Sequence, residues 1–285
     1  MYNESFILLY LNPTAHTSNI FRIKYAQDGL VVTAATQDTI VKVWNSSFNW
    51  NLIGTYTNHT GYVQSLVCLN ADSMASGDFS GNIKIWSISS LTTIRTILTG
   101  AAIYSLALLN NGLHLATGHN PLIQIWNISN SLRVATLSGH SSIVADLVTL
   151  SDELLASSGV DLTVRIWNVT SYTLKYTLNG HTNYVNGLKV IAADVLASGS
   201  KDTTILLWNI TSGSLVKNLT NHTNSINYGL DLYDSQTLIS GSYDSTMKLW
   251  HISTGTVLKT INTIPISSIA VIGIVSNTCK SAIFE

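Results

Sequence analysis

His181, Ser198 and Asp202 have the side-chain types of a hydrolase triad: an imidazole, a hydroxyl and a carboxylate. The same types recur at similar spacing in two further stretches, as His140, Ser157, Asp161 and as His222, Ser240, Asp244. A triad enzyme needs one nucleophile, whereas a fold built of equal units needs the same fastening contact in every unit. The repetition therefore predicts a structural role for these side chains, no catalytic residues and no enzymatic activity.

A tryptophan marks each unit of a repeat that runs through most of the chain. Six tryptophans stand 42, 40, 41, 41 and 42 residues apart: Trp44, Trp86, Trp126, Trp167, Trp208 and Trp250. Short runs of alternating apolar and polar residues lie between them and are separated by Gly, Asn, Asp and Ser, as in antiparallel strands joined by tight turns. A fixed period of this length predicts a repeat architecture built of strands.

The unit at 179–211 resembles the WD40-repeat (WD-repeat) family. It contains Gly180-His181, a strand, the sequence Ala197-Ser198-Gly199-Ser200, and a strand that ends at Trp208. In that family each unit is a four-stranded blade of a β-propeller, and the blades surround a central channel. The Asp that follows the Trp in the family pattern is absent here, and the residues at that position are Asn45, Ser87, Asn127, Asn168, Asn209 and His251.

The resemblance implies an all-β fold, a WD-repeat β-propeller, in which residues 1–285 form a single domain. Six four-stranded blades are expected at about 20–57, 62–98, 102–137, 143–178, 184–219 and 226–261. An incomplete seventh blade is expected to combine residues 5–11 with residues 266–284. Strands from the N-terminal and C-terminal ends of the chain would then close the ring.

The resemblance also implies the family's hydrogen-bonded tetrad of Asp, His, Ser or Thr, and Trp within a blade. In blades one and two, Ala34 is predicted to stand at the hydroxyl position and Ser80 at the carboxylate position, so both tetrads would be incomplete. Blades four, five and six are predicted to have complete tetrads: His140, Ser157, Asp161, Trp167; His181, Ser198, Asp202, Trp208; and His222, Ser240, Asp244, Trp250.

Blade three departs furthest from the family pattern. Ala101 and Asn120 replace the His and the Asp, and Thr117 is the candidate hydroxyl. His114 and His119 lie nearby, but no third metal ligand stands at a suitable spacing, so they are interpreted as isolated polar residues. The sequence therefore predicts no metal site, and no phosphate-binding loop or other cofactor motif is present.

Composition bears on the class of partner. The formal net charge is −1, the pI is about 6.7, and charged residues make up 10% of the chain, against roughly 25% in ordinary domains. A basic footprint for nucleic acid or an anionic membrane is missing, so neither is expected as a partner. The N-terminal apolar run is too short for a signal peptide or a membrane span, which predicts an intracellular protein, cytoplasmic or nuclear.

The predicted function is a non-catalytic scaffold that docks a protein or peptide on the rim formed by the His and Asp loops. Aromatic, amide and cationic side chains at these loops have the composition of a binding hot spot. The candidate partner-binding residues on this top rim are Tyr62, Gln64, Phe79, Tyr104, Tyr184, Asn186, Lys201, Asn227 and Tyr243.

Three alternatives stay open. The first is a propeller enzyme or small-ligand-binding propeller with its site at the central channel, although Asp146 and Asp231 are the only acids on the inner strands of blades four to six. The second is a fragment of a larger multidomain WD-repeat protein, and the third is self-association through the incomplete blade. The sequence does not specify the partner, the pathway, the oligomeric state or the choice between six and seven blades.

Overall fold

A computed structural model of the chain describes residues 16–266, apart from 17, 19, 27–28, 36, 47–50, 110–111 and 264. Within this part of the chain, six four-stranded antiparallel sheets, here called blades one to six, are arranged as a propeller. In every blade the strands follow chain order from the innermost to the outermost strand. The predicted all-β propeller is therefore confirmed.

The strands of blades one to three are short, and each blade forms a simple meander. Blade one comprises β1 (Ile20–Tyr25), β2 (Leu30–Ala35), β3 (Val41–Asn45) and β4 (Asn51–Tyr56). Blade two comprises β5 (Val63–Cys68), β6 (Ser73–Asp78), β7 (Asn82–Ser87) and β8 (Thr93–Leu98). Blade three comprises β9 (Ser105–Leu108), β10 (His114–Gly118), β11 (Ile123–Asn127) and β12 (Arg133–Leu137).

Blades four to six repeat the same order. Blade four comprises β13 (Val144–Thr149), β14 (Leu154–Gly159), β15 (Val164–Asn168) and β16 (Thr173–Leu178). Blade five comprises β17 (Val185–Ala192), β18 (Val195–Ser200), β19 (Thr204–Asn209) and β20 (Leu215–Thr220). Blade six comprises β21 (Leu230–Leu232), β22 (Thr237–Gly241), β23 (Thr246–His251) and β24 (Val257–Asn262).

The hydrophobic core lies between blades. Val43 of blade one shares a cluster with Trp86 of blade two, and Leu207 of blade five shares one with Trp250 of blade six. The second strands have continuous runs of buried residues, as in β2, β6 and β14, and successive side chains point to opposite faces, so each sheet has a buried face toward each neighbouring blade. One blade alone could not bury these faces, and the stacking of repeats is therefore the source of stability.

A β-bulge precedes the tryptophan in the third strand of all six blades. In blade five, for example, Leu207 pairs with Lys217 while Trp208 pairs with Leu215, so Val216 is left without a partner residue. The same shift occurs in every other blade. A bulge increases local twist, and here it leaves one outer-strand side chain, 52% exposed in the case of Val216, on the outside of the molecule.

The residue after the tryptophan caps the turn that follows it. The side-chain oxygen of Asn168 accepts the N–H groups of Thr170 and Ser171 at 2.9 and 2.8 Å, and Asn209 accepts that of Ser212 at 2.8 Å. An amide oxygen serves this purpose as well as a carboxylate oxygen does. The substitution of Asn for the family's Asp therefore leaves the turn intact.

Ile266 lies beyond the last strand of blade six. Its N–H donates to Ser242 O at 3.1 Å, and its side chain packs with Ile239 and Met247. Ile226, at the start of blade six, makes the equivalent contact with blade five: its N–H donates to Ser200 O at 3.0 Å. The remainder of the predicted seventh blade, residues 5–11 and 267–284, lies outside the described residues.

No helix long and apolar enough to cross a membrane occurs in the part of the chain that the structure describes.

Candidate binding surface and the buried tetrads

In blades four, five and six the predicted tetrad side chains form continuous hydrogen-bonded chains. In blade five, Trp208 Nε1–H donates to Ser198 Oγ, Ser198 is bonded to His181 Nε2, and His181 Nδ1 is bonded to Asp202 Oδ2, each at 2.8 Å. Blades four and six repeat these bonds at 2.7 to 2.8 Å. The simplest assignment is a neutral imidazole that donates from Nδ1 and accepts at Nε2.

Each carboxylate of these tetrads also holds its own turn. Asp202 Oδ2 accepts the N–H of Thr182 at 2.9 Å, and Oδ1 accepts both the N–H and the hydroxyl of Thr204 at 2.9 and 2.7 Å. Burial by itself would raise the pKa of Asp202, but the bonds from His181, Thr204 and Thr182 outweigh it and hold that pKa far below its usual range. The carboxylate is therefore an ionised anchor that joins two loops.

The hydroxyl of the tetrad is enclosed by protein. Ser198 is fully buried, its oxygen accepts from Trp208, and its proton is engaged by the imidazole. A substrate carbonyl could not approach this oxygen without displacing the tryptophan. This constellation therefore fastens the blade and lacks the exposed nucleophile that a hydrolase triad requires.

Blade one contains a complete tetrad, and the prediction that Ala34 replaces its hydroxyl is wrong. Thr33 supplies the hydroxyl: it lies 2.8 Å from His16 Nε2 and accepts from Trp44 Nε1–H at 2.9 Å. His16 Nδ1 is bonded to Asp38 Oδ2 at 2.6 Å. The hydroxyl and the carboxylate are five residues apart from Thr33 to Asp38 but four apart from Ser198 to Asp202. An alignment of the two blades on their aspartates therefore places Ala34 at the hydroxyl position.

The tetrad of blade two is also complete, and the assignment of Ser80 to the carboxylate position is wrong. Asp78 Oδ2 is bonded to His59 Nδ1 at 2.7 Å, and His59 Nε2 lies 2.5 Å from Ser76 Oγ. Trp86 Nε1–H donates to the same hydroxyl at 3.1 Å. Asp78 stands two residues after the hydroxyl instead of four, so the same carboxylate position is reached from the end of β6.

Blade three has a three-membered version of the network. His119, interpreted from the sequence as isolated, is only 2% exposed and lies 2.7 Å from Thr117 Oγ1, which accepts from Trp126 Nε1–H at 3.2 Å. Its Nδ1 is bonded to the carbonyl of Ala102 at 2.9 Å instead of to a carboxylate. His119 stands two residues after its hydroxyl, the offset that Asp78 has in blade two.

The candidate partner-binding residues divide into an exposed and a buried group. Tyr62, Phe79, Tyr184 and Tyr243 are 47, 39, 39 and 38% exposed, and Lys201 is exposed as well. Each lies either just after the second strand of its blade or just before the inner strand. In an antiparallel sheet these two positions are at the same end of the blade. Tyr104 is partly buried, and its ring contacts that of Phe79. We call the six residues of this edge the aromatic rim: Tyr62, Phe79, Tyr104, Tyr184, Lys201 and Tyr243.

The three amides predicted to point outward are buried. Gln64, Asn186 and Asn227 are 6, 8 and 8% exposed, and Asn186 Nδ2 donates to Asn227 Oδ1 at 2.8 Å. Each amide is the second residue of its inner-strand segment, after Val63, Val185 or Ile226. Neighbouring inner strands converge on the channel at this point. Their side chains therefore link blades or face the channel, and this part of the predicted surface is corrected.

The aromatic rim has internal contacts that orient its side chains. The rings of Phe79 and Tyr104 meet edge to face, with centroids 5.3 Å apart, across the junction of blades two and three. Lys201 Nζ lies 4.8 Å from the centroid of the Tyr184 ring within blade five, a cation–π contact. Backbone bonds from Phe79 N–H to Tyr62 O at 3.0 Å and from Lys201 N–H to Tyr184 O at 2.9 Å hold the loops together.

The model of the family described as WD domain, G-beta repeat, matches residues 9–45, 50–87, 131–168, 172–209 and 213–251. These matches cover more than half of the chain. The chain belongs to the WD-repeat family.

Curated relatives match only part of this WD-repeat chain. Protein FIZZY-RELATED 3 of Arabidopsis thaliana is 26% identical over 48% of the chain and 30% of its own length. Eukaryotic translation initiation factor 3 subunit I of Vanderwaltozyma polyspora is 30% identical over 28% of the chain and 23% of its length. Periodic tryptophan protein 2 homolog of Dictyostelium discoideum is 26% identical over 51% of the chain and 16% of its length. The chain thus aligns with less than a third of each relative.

The WD-repeat pattern gives no indication of Arg22, a charged side chain that the structure places in the central channel. Arg22 of β1 donates to the carbonyls of Gln64 and Ala145 at 3.1 and 3.2 Å and pairs with Asp146 at 3.4 Å. Its guanidinium also lies 3.8 Å from the centroid of the Tyr228 ring. A single side chain of blade one therefore contacts blades two, four and six.

Tyr228 reaches the channel because blade six has one extra residue at this point. The tetrad His and the buried inner-strand Leu are seven residues apart in His181 to Leu188 but eight apart in His222 to Leu230. Burial raises the pKa of Tyr228 to about 12, so the phenol stays neutral beside Arg22. The longer spacing is a sequence signal from which this residue could have been found.

Proposed function

We propose that this WD-repeat protein is a non-catalytic scaffold that binds a protein or peptide partner on the aromatic rim. The supporting observation is the exposure of four large aromatic side chains, Tyr62, Phe79, Tyr184 and Tyr243, at equivalent edges of three blades. Large aromatic side chains with two torsions lose little conformational entropy on binding and dominate interface hot spots. Membership of the WD-repeat family supports the same class of function.

The electrostatics of the rim favour a partner with apolar anchors and acidic groups. The carboxylates of this edge are engaged in the tetrads, as the contacts of Asp202 with His181 show, whereas the ammonium group of Lys201 is exposed beside the Tyr184 ring. An acidic group of the partner would meet Lys201 while its apolar side chains contact the tyrosines. We place this activity inside the cell, in the cytoplasm or nucleus, with neither nucleic acid nor membrane as the partner.

The test compares two double variants in affinity purification with mass spectrometry. Tyr184→Ala with Tyr243→Ala removes two rim side chains, and each hot-spot tyrosine is expected to contribute about 2 kcal/mol, or about 30-fold in affinity. The matched control, Leu174→Ala with Leu215→Ala, removes two side chains that are 41 and 48% exposed on the outer strands. Both variants are expected to melt within a few degrees of the unmodified protein.

The expected result is that the rim variant loses co-purifying proteins that the outer-strand variant retains. If the outer-strand variant loses those proteins and the rim variant keeps them, the binding surface lies on the blade edges and the proposal is wrong.

A further inference from the structure

All six inner strands line a cavity of about 140 Å³ in the central channel. Its polar lining includes the side chains of Arg22, Lys24, Ser65, Asp146 and Lys189. The space is large enough for several water molecules or for one small polyatomic ion.

The charges around this cavity do not balance. Arg22 pairs with Asp146, and Lys189 pairs closely with Asp231, which is 3% exposed. Lys24 is the third cation, and within the described residues it has neither an ion pair nor a hydrogen bond to its side chain. With every group ionised, three cations face two carboxylates among the described residues of the channel, so the described positive charges exceed the negative ones by one.

Ser65 is a second donor without a protein partner. It is 3% exposed and lines the cavity, and no described group makes a hydrogen bond with its hydroxyl. A donor at the wall of a protein cavity is normally satisfied by protein, by water or by a ligand. The hydroxyl of Ser65 and the ammonium of Lys24 therefore present unused donors to the same small space.

Two arrangements could relieve the excess charge. Burial lowers the pKa of Lys24, so its amine could lose the proton and leave a water-filled cavity. Alternatively, an anion could accept from the donors and keep Lys24 charged. A tetrahedral oxyanion suits the second arrangement because its oxygens can accept from several convergent donors at once, and charge-assisted bonds of this kind are strong.

We propose that the central channel binds one small oxyanion of the phosphate class, held by Lys24, Lys189 and the Ser65 hydroxyl. Arg22 remains on Asp146 and the neighbouring carbonyls and adds its positive potential to the site. Inorganic phosphate and the phosphate group of a small monoester share this chemistry. The site lies inside the channel and is independent of partner binding at the aromatic rim.

The experiment titrates the purified full chain with inorganic phosphate and separately with glycerol 3-phosphate, at matched ionic strength in sodium chloride. Binding is followed by calorimetry and by the ³¹P resonance, and stability by the melting temperature. Saturable binding of one anion per chain is expected, with a rise in melting temperature that follows mass action. The ligand that binds more tightly identifies the form of phosphate that the channel takes.

Variants locate the site. Lys24→Met keeps the length of the side chain but removes its charge, and it is expected to weaken phosphate binding at least tenfold. Ser65→Ala is expected to weaken it by a smaller factor, and Lys175→Met, at an exposed lysine of β16, is expected to leave it unchanged. If Lys24→Met does not fold, the direct titration of the unmodified chain still decides. No saturable binding up to about 20 mM, or equal binding by Lys24→Met, would overturn the proposal.

Discussion

A hydroxyl oxygen is the central atom of every tetrad because it alone can both accept and donate at this point. Ser198 Oγ accepts from Trp208 and donates its proton to His181, so the indole and the imidazole are satisfied together. Thr33 and Thr117 serve in the same way in blades one and three. Either Ser or Thr is therefore sufficient, while an alanine at this position would leave two ring nitrogens without partners.

A substitution in blade three tests whether the central hydroxyl stabilises the fold. Thr117→Val preserves the branched shape but removes the oxygen between Trp126 and His119, both of which are buried. Each of the two stranded groups costs about 1–3 kcal/mol, so we expect the free energy of unfolding to fall by about 2–6 kcal/mol in urea titrations. The control is Thr220→Val at an exposed position of β20.

Surface substitutions of the control type usually change stability by less than about 0.5 kcal/mol. If Thr117→Val and Thr220→Val differ by no more than that, His119 is not part of a stabilising network.

At the scale of the element, blade three differs from blade five in two respects. Its inner strand has four residues against eight in β17. It also lacks the carboxylate that in blade five accepts the N–H groups of Thr182 and Thr204, since His119 is oriented by the carbonyl of Ala102. Both differences reduce the number of contacts that must break when the blade opens.

We therefore expect blade three to open locally more often than blade five. Native-state hydrogen exchange should be at least about tenfold faster in β10 and β11 than in β18 and β19, which corresponds to about 1.4 kcal/mol. The comparison is internal, because both blades belong to the same molecule and have four-stranded sheets. Equal or slower exchange in blade three would mean that the missing carboxylate and the short strand have no energetic consequence.

At the scale of the whole molecule, the repeat determines which structural features could be predicted from the sequence. A period of about 41 residues, repeated six times, identifies the propeller and its four-stranded blades because each copy reinforces the others. It is less informative where one copy differs. Asp78 stands two residues after its hydroxyl, so an alignment to the commoner spacing of four selects Ser80 instead. His119 supplies the imidazole of blade three from a position two residues after Thr117, whereas the family pattern places the His before the inner strand. Only the geometry shows that they reach the position of the tetrad.

Residues that occur once are hidden for the same reason. Arg22 and Lys24 occupy inner-strand positions at which blade two has Ser65 and Val67, so no repeat marks them as important. Their role depends on distances across the ring, such as that from Arg22 to Asp146, and these distances are set by the assembly of all blades. The three misplaced rim amides follow the same rule, because their burial depends on how closely the inner strands converge.

The repeated tetrads also couple the stability of the whole propeller to pH. Burial lowers the pKa of His16, His119 and His222; bonds to Asp38 and Asp244 and to backbone carbonyls oppose it without cancelling it. In the unfolded chain a histidine titrates near 6.5, so between that value and the lower folded pKa the unfolded state binds more protons. Stability should therefore be complete above about pH 7 and fall as the pH drops below about 6.5.

The carboxylates add a second loss at lower pH. The folded pKa values of Asp78, Asp161, Asp202 and Asp244 lie below the usual value of 3.8, because hydrogen bonds outweigh the opposing effect of burial. Their contribution is present above about pH 4 and is lost as the pH falls toward the folded values. Acidification should thus destabilise the propeller in two stages, first through the histidines and then through the aspartates.

Urea unfolding at pH 7.5, 6.5, 5.5 and 4.5 measures the first stage directly. We expect the free energy of unfolding to fall steadily below pH 6.5, with each depressed histidine contributing at most about 1.4 kcal/mol per pH unit. The matched variant is His119→Gln, in which an uncharged amide can still accept from Thr117, so its stability should depend less steeply on pH between 6.5 and 5.5. A free energy that stays level or rises on acidification over this range would show that the imidazoles are not held neutral in the tetrads.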